Sequence, residues 1–154
     1  MTQREEPIII TLSPLLYGLA FVVVLALYWF WPMPIFDHAV ALWLGLALVM
    51  LGVGIGIWGR RALRTTGTNV NPSLPTTAIV TSGPFRFSRN PLYIALTLLY
   101  FGITLAVNTW WSIVVLVPLV IIVHRVVVLR EERYLEAKFG ESYRQYCSKV
   151  RRYL

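Results

Sequence analysis

Four long apolar runs constrain this 154-residue chain more than any other feature. They fall at about residues 12–31, 39–59, 92–107 and 110–129. Crossing a hydrocarbon core of ~30 Å takes about 20 apolar residues in a helix. Backbone groups inside lipid must also be paired within their own segment, so runs of this length in series demand helices. The expected architecture is therefore an all-α integral membrane protein with four transmembrane helices in one domain, residues 1–154. The composition, 57% hydrophobic, fits a chain most of which faces lipid or other helices.

The first run keeps Pro14 in its early turns, where a missing N–H costs little. The start, MTQREEPIII, lacks the marks of a removable leader, so this run is expected to stay as a helix. WPMPIFDH, residues 31–38, is a tight polar connection. In the second run Gly45, Gly52 and Gly59 recur every seven residues, and Gly52 and Gly56 share a face, as close helix packing requires. The same glycines could suggest a nucleotide-binding fingerprint, but no strand precedes them and no βαβ unit surrounds them. Asn90-Pro91 is a helix start, Asn as cap and Pro in the first position. Asn108-Thr109 leaves so short a link that the third and fourth runs must form an antiparallel hairpin. Pro118 is expected to kink the second arm. The last helix should continue through LREERYLEAKFG and stop at Gly140, followed by an amphipathic helix with Tyr143, Tyr146 and Val150 on one face.

Charge sets the orientation. Residues 60–91 carry Arg60, Arg61, Arg64, Arg86 and Arg89 and no acid, which places this loop on the cytoplasmic side. Four crossings then return both termini, with the polar tail 130–154, to that side. The net charge of +7 arises from residues beside span ends, which suits anionic headgroups and excludes a nucleic-acid surface. Cys147 is the only cysteine, so there is no internal disulfide. His38 and His124 fall on opposite membrane faces, and no metal site is expected.

Two polar clusters share the cytoplasmic face: Ser88-Arg89-Asn90-Pro91-Leu92-Tyr93, and His124, Arg125, Arg130, Glu131 and Glu132. The hairpin brings the start of its first helix beside the end of its second, so the clusters should face each other within about 10 Å. Each residue also has a plain reading. Arg86 and Arg89 suit lipid anchors, Asn90 a cap, Tyr93 an interfacial ring, Glu131 and Glu132 a solvated helix exit, and Arg125 a snorkelling cation.

The ordered set of motifs resembles the membrane methyltransferases related to isoprenylcysteine carboxyl methyltransferase and phospholipid N-methyltransferases. The resemblance spans about residues 45–154: Arg60-Arg61-Ala-Leu-Arg64, then Ala78-Ile-Val-Thr-Ser-Gly-Pro-Phe85, Arg89-Asn-Pro-Leu-Tyr93, the hairpin, Glu131-Glu132, Phe139-Gly140, and Tyr143-x-x-Tyr146-x-x-x-Val150. It implies S-adenosylmethionine as methyl donor in a pocket formed by the cytoplasmic loop and the C-terminal helices. By similarity Thr77, Ala78, Ile79, Val80, Phe85, Asn90, Pro91, Leu92, Tyr93, Glu131 and Glu132 would line the donor site, with Arg89, Asn90 and Glu131 positioning. It implies an acidic partner for the donor's amino group or ribose, helix-start N–H groups for its carboxylate, and an in-line transfer governed by positioning.

Two departures bear on the acceptor. The family's usual Arg-His-Pro reads Arg89-Asn90-Pro91 here, and asparagine cannot titrate. Val127 stands where carboxyl methyltransferases carry a substrate arginine, which leaves Arg125 and Arg130 as the substrate candidates. The leading expectation is methyl transfer to a lipophilic or membrane-partitioned acceptor, with O-, N- and S-methylation all open. The alternatives are a non-catalytic membrane protein that keeps the fold, and a small transporter, which the uncharged first three spans disfavour.

Overall fold

A computed structural model describes residues 6–67 and 77–153. The order is α1 (Glu6–Phe30), α2 (His38–Thr65), a 3₁₀ turn (Gly83–Arg86), α3 (Pro91–Ala106), α4 (Trp111–Ile122), a π turn (Val123–Val128), α5 (Leu129–Phe139) and α6 (Glu141–Lys149). Among the described residues there is no strand.

Three helical stretches are long and apolar enough to cross a membrane: Leu12–Phe30, His38–Thr65 and the continuous Trp111–Phe139. The fourth expected span, α3, is a shorter apolar helix of 16 residues. Helix α2 runs beyond the expected end at residue 59, through Arg60, Arg61 and Arg64 to Thr65. Arginine, alanine and leucine are good helix formers, so leaving the apolar run does not end the helix. Of the loop expected over 65–77, residues 68–76 lie outside the described part.

The glycine heptad sets the closest packing in the molecule. A Cβ on Gly45 would sit 2.5 Å from the Gly102 carbonyl oxygen, and one on Gly102 would sit 2.7 Å from the Gly45 oxygen. One turn pair further on, Gly52 faces Ala95 and Leu99, and Gly59 faces Leu92. Helices α2 and α3 are thus antiparallel along the whole of α3, backbone against backbone. Gly56 has only ordinary contact with Ala95 at 3.7 Å, so it is not part of this seam. The hairpin partner α4 is a lesser neighbour of α3; α1 packs against α4, the π turn and α3. The core between them contains Tyr17, Ala20, Val24, Tyr100, Leu119, Val123, Val127 and Val128.

Asn108 ties the two connections at one end of the bundle. It stands in the left-handed region at φ 58°. Its Oδ1 accepts from the N–H groups of Ile35 and Phe36, both at 3.1 Å, and its Nδ2 donates to the Phe36 carbonyl at 2.7 Å. Asn108→Ala is expected to cost on the order of 2 kcal/mol or more, through two orphaned N–H groups and a strained alanine. Asn108→Gly, which relieves the strain alone, should recover only part of the thermal midpoint in detergent.

At the other end the chain departs from regular α geometry just before Glu131 and Glu132. The bonds of residues 123–128 follow the wide i→i+5 pattern, which is rare and frequently found at functional sites. The extra residue lets Val123, Val127 and Val128 all point inward. Helix α5 ends, as expected, at Gly140 with φ 54°. Beyond it, Tyr143 and Tyr146 turn inward on one face of α6.

Candidate active site

The two polar clusters do face each other. The Tyr93 hydroxyl, on the first turn of α3, donates to Glu131 Oε2 at 2.7 Å. Arg89 Nη1 lies 3.3 Å from Glu132 Oε1. Between them lies a cavity of about 400 Å³, within the size range of small-molecule sites. Of the residues named from sequence, Ala78, Ile79, Val80, Phe85, Arg89, Asn90, Pro91, Leu92, Tyr93, Glu131 and Glu132 all line it. Thr77 does not. Arg125 and Arg130 are exposed and also lie outside it, while Val127 is sealed in the apolar core.

Local chemistry explains each placement. Ala78–Val80 run outside any helix or strand, with the Val80 side chain buried. Gly83, at φ 59°, then opens the 3₁₀ turn, where Ala62 and Trp58 leave little room for a side chain. Pro84 and Phe85 follow, and the Phe85 carbonyl accepts from the Tyr146 hydroxyl at 2.6 Å. Burial pushes the Tyr146 phenol up to about 12, so it remains a donor throughout the physiological range. Tyr143 is raised further, first by burial and then by the Glu132 charge.

Asn90 occupies the cap position without capping. Its side chain makes no bond to the helix start; Nδ2 donates instead to the Arg152 carbonyl at 3.2 Å. The Tyr93 and Ile94 N–H groups donate to the Asn90 carbonyl, and Pro91 has none, so the helix start offers a ligand little beyond the Leu92 N–H. The reason is tertiary: the C-terminal segment lies close enough to claim the amide.

The two glutamates have different work. Glu132 is buried and held by Arg152, whose Nε lies 3.0 Å from both carboxylate oxygens and whose Nη2 lies 2.8 Å from Oε2, as well as by Arg89. Such a bidentate fork is the strongest geometry available to a carboxylate. Glu131 is bonded by a neutral phenol, and among the described residues no Lys or Arg pairs with it. Arg89 is not a lipid anchor. It spans the Glu132 carboxylate and Cys147 Sγ, the latter at 2.7 Å, and its N–H donates to the Arg151 carbonyl. His124 pairs through Nδ1 with the Tyr153 hydroxyl at 2.7 Å.

Several lining residues were not foreseen: Ser13 and Pro14 of α1, Gly56, Arg60 and Leu63 of α2, Ala95, Leu96 and Leu99 of α3, and Leu135, Tyr143 and Tyr146. The spacing of Gly56, Arg60 and Leu63 could have disclosed one face of α2. The inward face of α6 was legible, but not what it covers. Nothing local in LSP or TLLYF marks α1 or the middle of α3 as cavity wall.

The chain matches the family model described as phospholipid methyltransferase over residues 40–142. It is also 35% identical over 63 residues, 41% of this chain and the whole of the relative, to an uncharacterised protein of Haemophilus influenzae. No solved structure gives a significant match. The family model covers the glycine seam and the Tyr93–Glu131 pair, and the chain belongs to the phospholipid methyltransferase family of membrane methyltransferases.

Proposed function

We propose that the cavity binds S-adenosylmethionine and that a methyl group is transferred there to a lipophilic acceptor reaching it from the bilayer. The observation that carries this reading is Glu131, a carboxylate that lines the cavity, is hydrogen-bonded by Tyr93 and, among the described residues, is paired with no Lys or Arg. A buried carboxylate is costly unless a cation or several donors meet it, so the site suits a cationic ligand. The residues fit the donor: Glu131 for its ammonium or ribose hydroxyls, Phe85 and the apolar 78–80 segment for the flat base and the sulfonium. When bound, S-adenosylmethionine supplies an electrophilic methyl group. The chain's part is to orient Glu131 through Tyr93, exclude water with apolar walls, and hold the acceptor in line.

The same reading takes the molecule as one membrane domain with four crossings, the cavity and both termini cytoplasmic. Its support is that α3 lies antiparallel along α2 from Gly45 to Gly59, so a membrane crossed by α2 is spanned or nearly spanned by α3 as well. The arginines of residues 60–91 support the cytoplasmic side. Deep in the cavity Ala95, Leu96 and Leu99 offer an apolar wall to an acyl or prenyl chain. With Arg125 and Arg130 outside and Val127 in the core, a carboxylate acceptor has lost its assigned partners, and an amine head group is the favoured acceptor.

The test is incubation of the detergent-solubilised protein with methyl-labelled S-adenosylmethionine and fractionated membrane lipid, with identification of the labelled product. The expected result is label in a lipid amine. No label in any lipid or thiol fraction, together with no calorimetric binding of the donor, would leave a non-catalytic member of the family.

A further inference from the structure

We propose that the C-terminal segment Arg151–Tyr153 is a strap that fixes the two walls of the cavity relative to each other, with Arg152 as its positioning residue. It rests on the reading of the cavity as the methyl-donor site. The segment follows α6 as extended chain, Val150 having φ −125° and ψ 132°. It then binds the loop ahead of α3 on one side of the cavity and the π turn and α5 on the other. On the loop side, the Arg151 carbonyl accepts from the Arg89 N–H at 3.0 Å, and the Arg152 carbonyl accepts from Ser88 Oγ and Asn90 Nδ2, both at 3.2 Å. On the helix side, the Arg152 guanidinium grips Glu132 on α5, and the Tyr153 hydroxyl meets His124 in the π turn.

Apart from the Tyr153–His124 bond, these bonds run to residues that line the cavity, Arg89, Asn90 and Glu132, or to Ser88 beside them. Glu132 adjoins Glu131; Asn90 leads into Pro91–Tyr93. The Tyr93–Glu131 bond at 2.7 Å therefore joins two elements whose spacing the strap sets from outside. Hydrogen bonds to charged groups lose strength steeply with small errors of geometry, and a shift of about 1 Å at a catalytic group is enough to cost activity. The strap also accounts for Asn90. Its amide serves as a donor to the Arg152 carbonyl, a role that needs no titration.

Arg152→Ala, Arg152→Lys and the unaltered full chain are compared in detergent by three measurements: calorimetric affinity for S-adenosylmethionine, thermal midpoint, and amide hydrogen exchange at residues 88–90. For Arg152→Ala the expected results are at least tenfold weaker donor binding, exchange at 88–90 at least tenfold faster, and unchanged exchange within α1, α2 and α3. Arg152→Lys keeps the charge but not the fork, and should fall between. Three outcomes overturn the proposal: unchanged exchange at 88–90, faster exchange with unchanged donor affinity, or accelerated exchange throughout the helices, which marks a general loss of fold. If the unaltered chain binds no donor, the proposed function has failed and the strap as a donor-site device fails with it. If it binds donor but Arg152→Ala binds equally well, only the strap fails.

Discussion

Glu131→Ala is expected to weaken binding of S-adenosylmethionine by about 10- to 100-fold and to lower methyl transfer at least as much. A hydrogen bond to a charged group contributes about 1.5–3 kcal/mol, and each 1.4 kcal/mol is tenfold in affinity. Glu131 is the cavity carboxylate that no basic side chain matches among the described residues, so its charge is available to a ligand. Tyr93→Phe should be milder, about tenfold or less, because it removes the group that orients the carboxylate and leaves the carboxylate itself. Calorimetry in detergent with both variants separates binding from orientation. Equal affinities for Glu131→Ala and the unaltered protein would sink the assignment. Glu132→Gln is not an equivalent control, since it disrupts the Arg89 and Arg152 contacts and should act on the geometry of both walls.

The largest effect on stability is expected at the α2–α3 seam. Gly45→Ala places a methyl group 2.5 Å from the Gly102 carbonyl oxygen and 2.8 Å from Ala106, and Gly102→Ala places one 2.7 Å from the Gly45 oxygen. Neither neighbour is the flexible end of a side chain, so the helices must move apart. Overpacking typically costs about 1–3 kcal/mol; with backbone on both sides the upper part of that range applies, or about 5 to 10 °C in thermal midpoint. Gly54→Ala is the matched control. Nothing lies within 4 Å of its added methyl, and alanine is the better helix former, so its midpoint should be unchanged or higher. A thermal shift series over Gly45, Gly52, Gly54 and Gly102 checks this, and equal effects at Gly54 and Gly45 would refute close packing as the role of the heptad.

Much of this was legible from residues alone. The glycine heptad gave the α2 face, and the two-residue link at Asn108-Thr109 gave the hairpin, which by itself set Asn90–Tyr93 against Arg125–Glu132. These are short-range or periodic signals, and in lipid the physics leaves few alternatives to them. Asn90 shows the limit. Beside Pro91 it reads as a cap, and local rules offer no competitor for its amide; Arg152, distant in sequence, becomes one only after folding. Likewise Glu131 and Glu132 are adjacent and chemically identical and both line the cavity, and their spacing does not say which is held by arginine and which by the Tyr93 hydroxyl.

What the sequence determined by itself was the class of structure: apolar helices, their antiparallel order, the charged side, and the segments that meet at the membrane face. Those follow from the cost of bare backbone in lipid and from the lengths of the runs. Only the tertiary structure decided the wiring: the strap of Arg151–Tyr153 across both walls, the wide turn ahead of Glu131, and the exclusion of Arg125 and Arg130 from the cavity. Those depend on side-chain directions and on contacts between segments far apart in the chain, which are fixed only when the helices have packed.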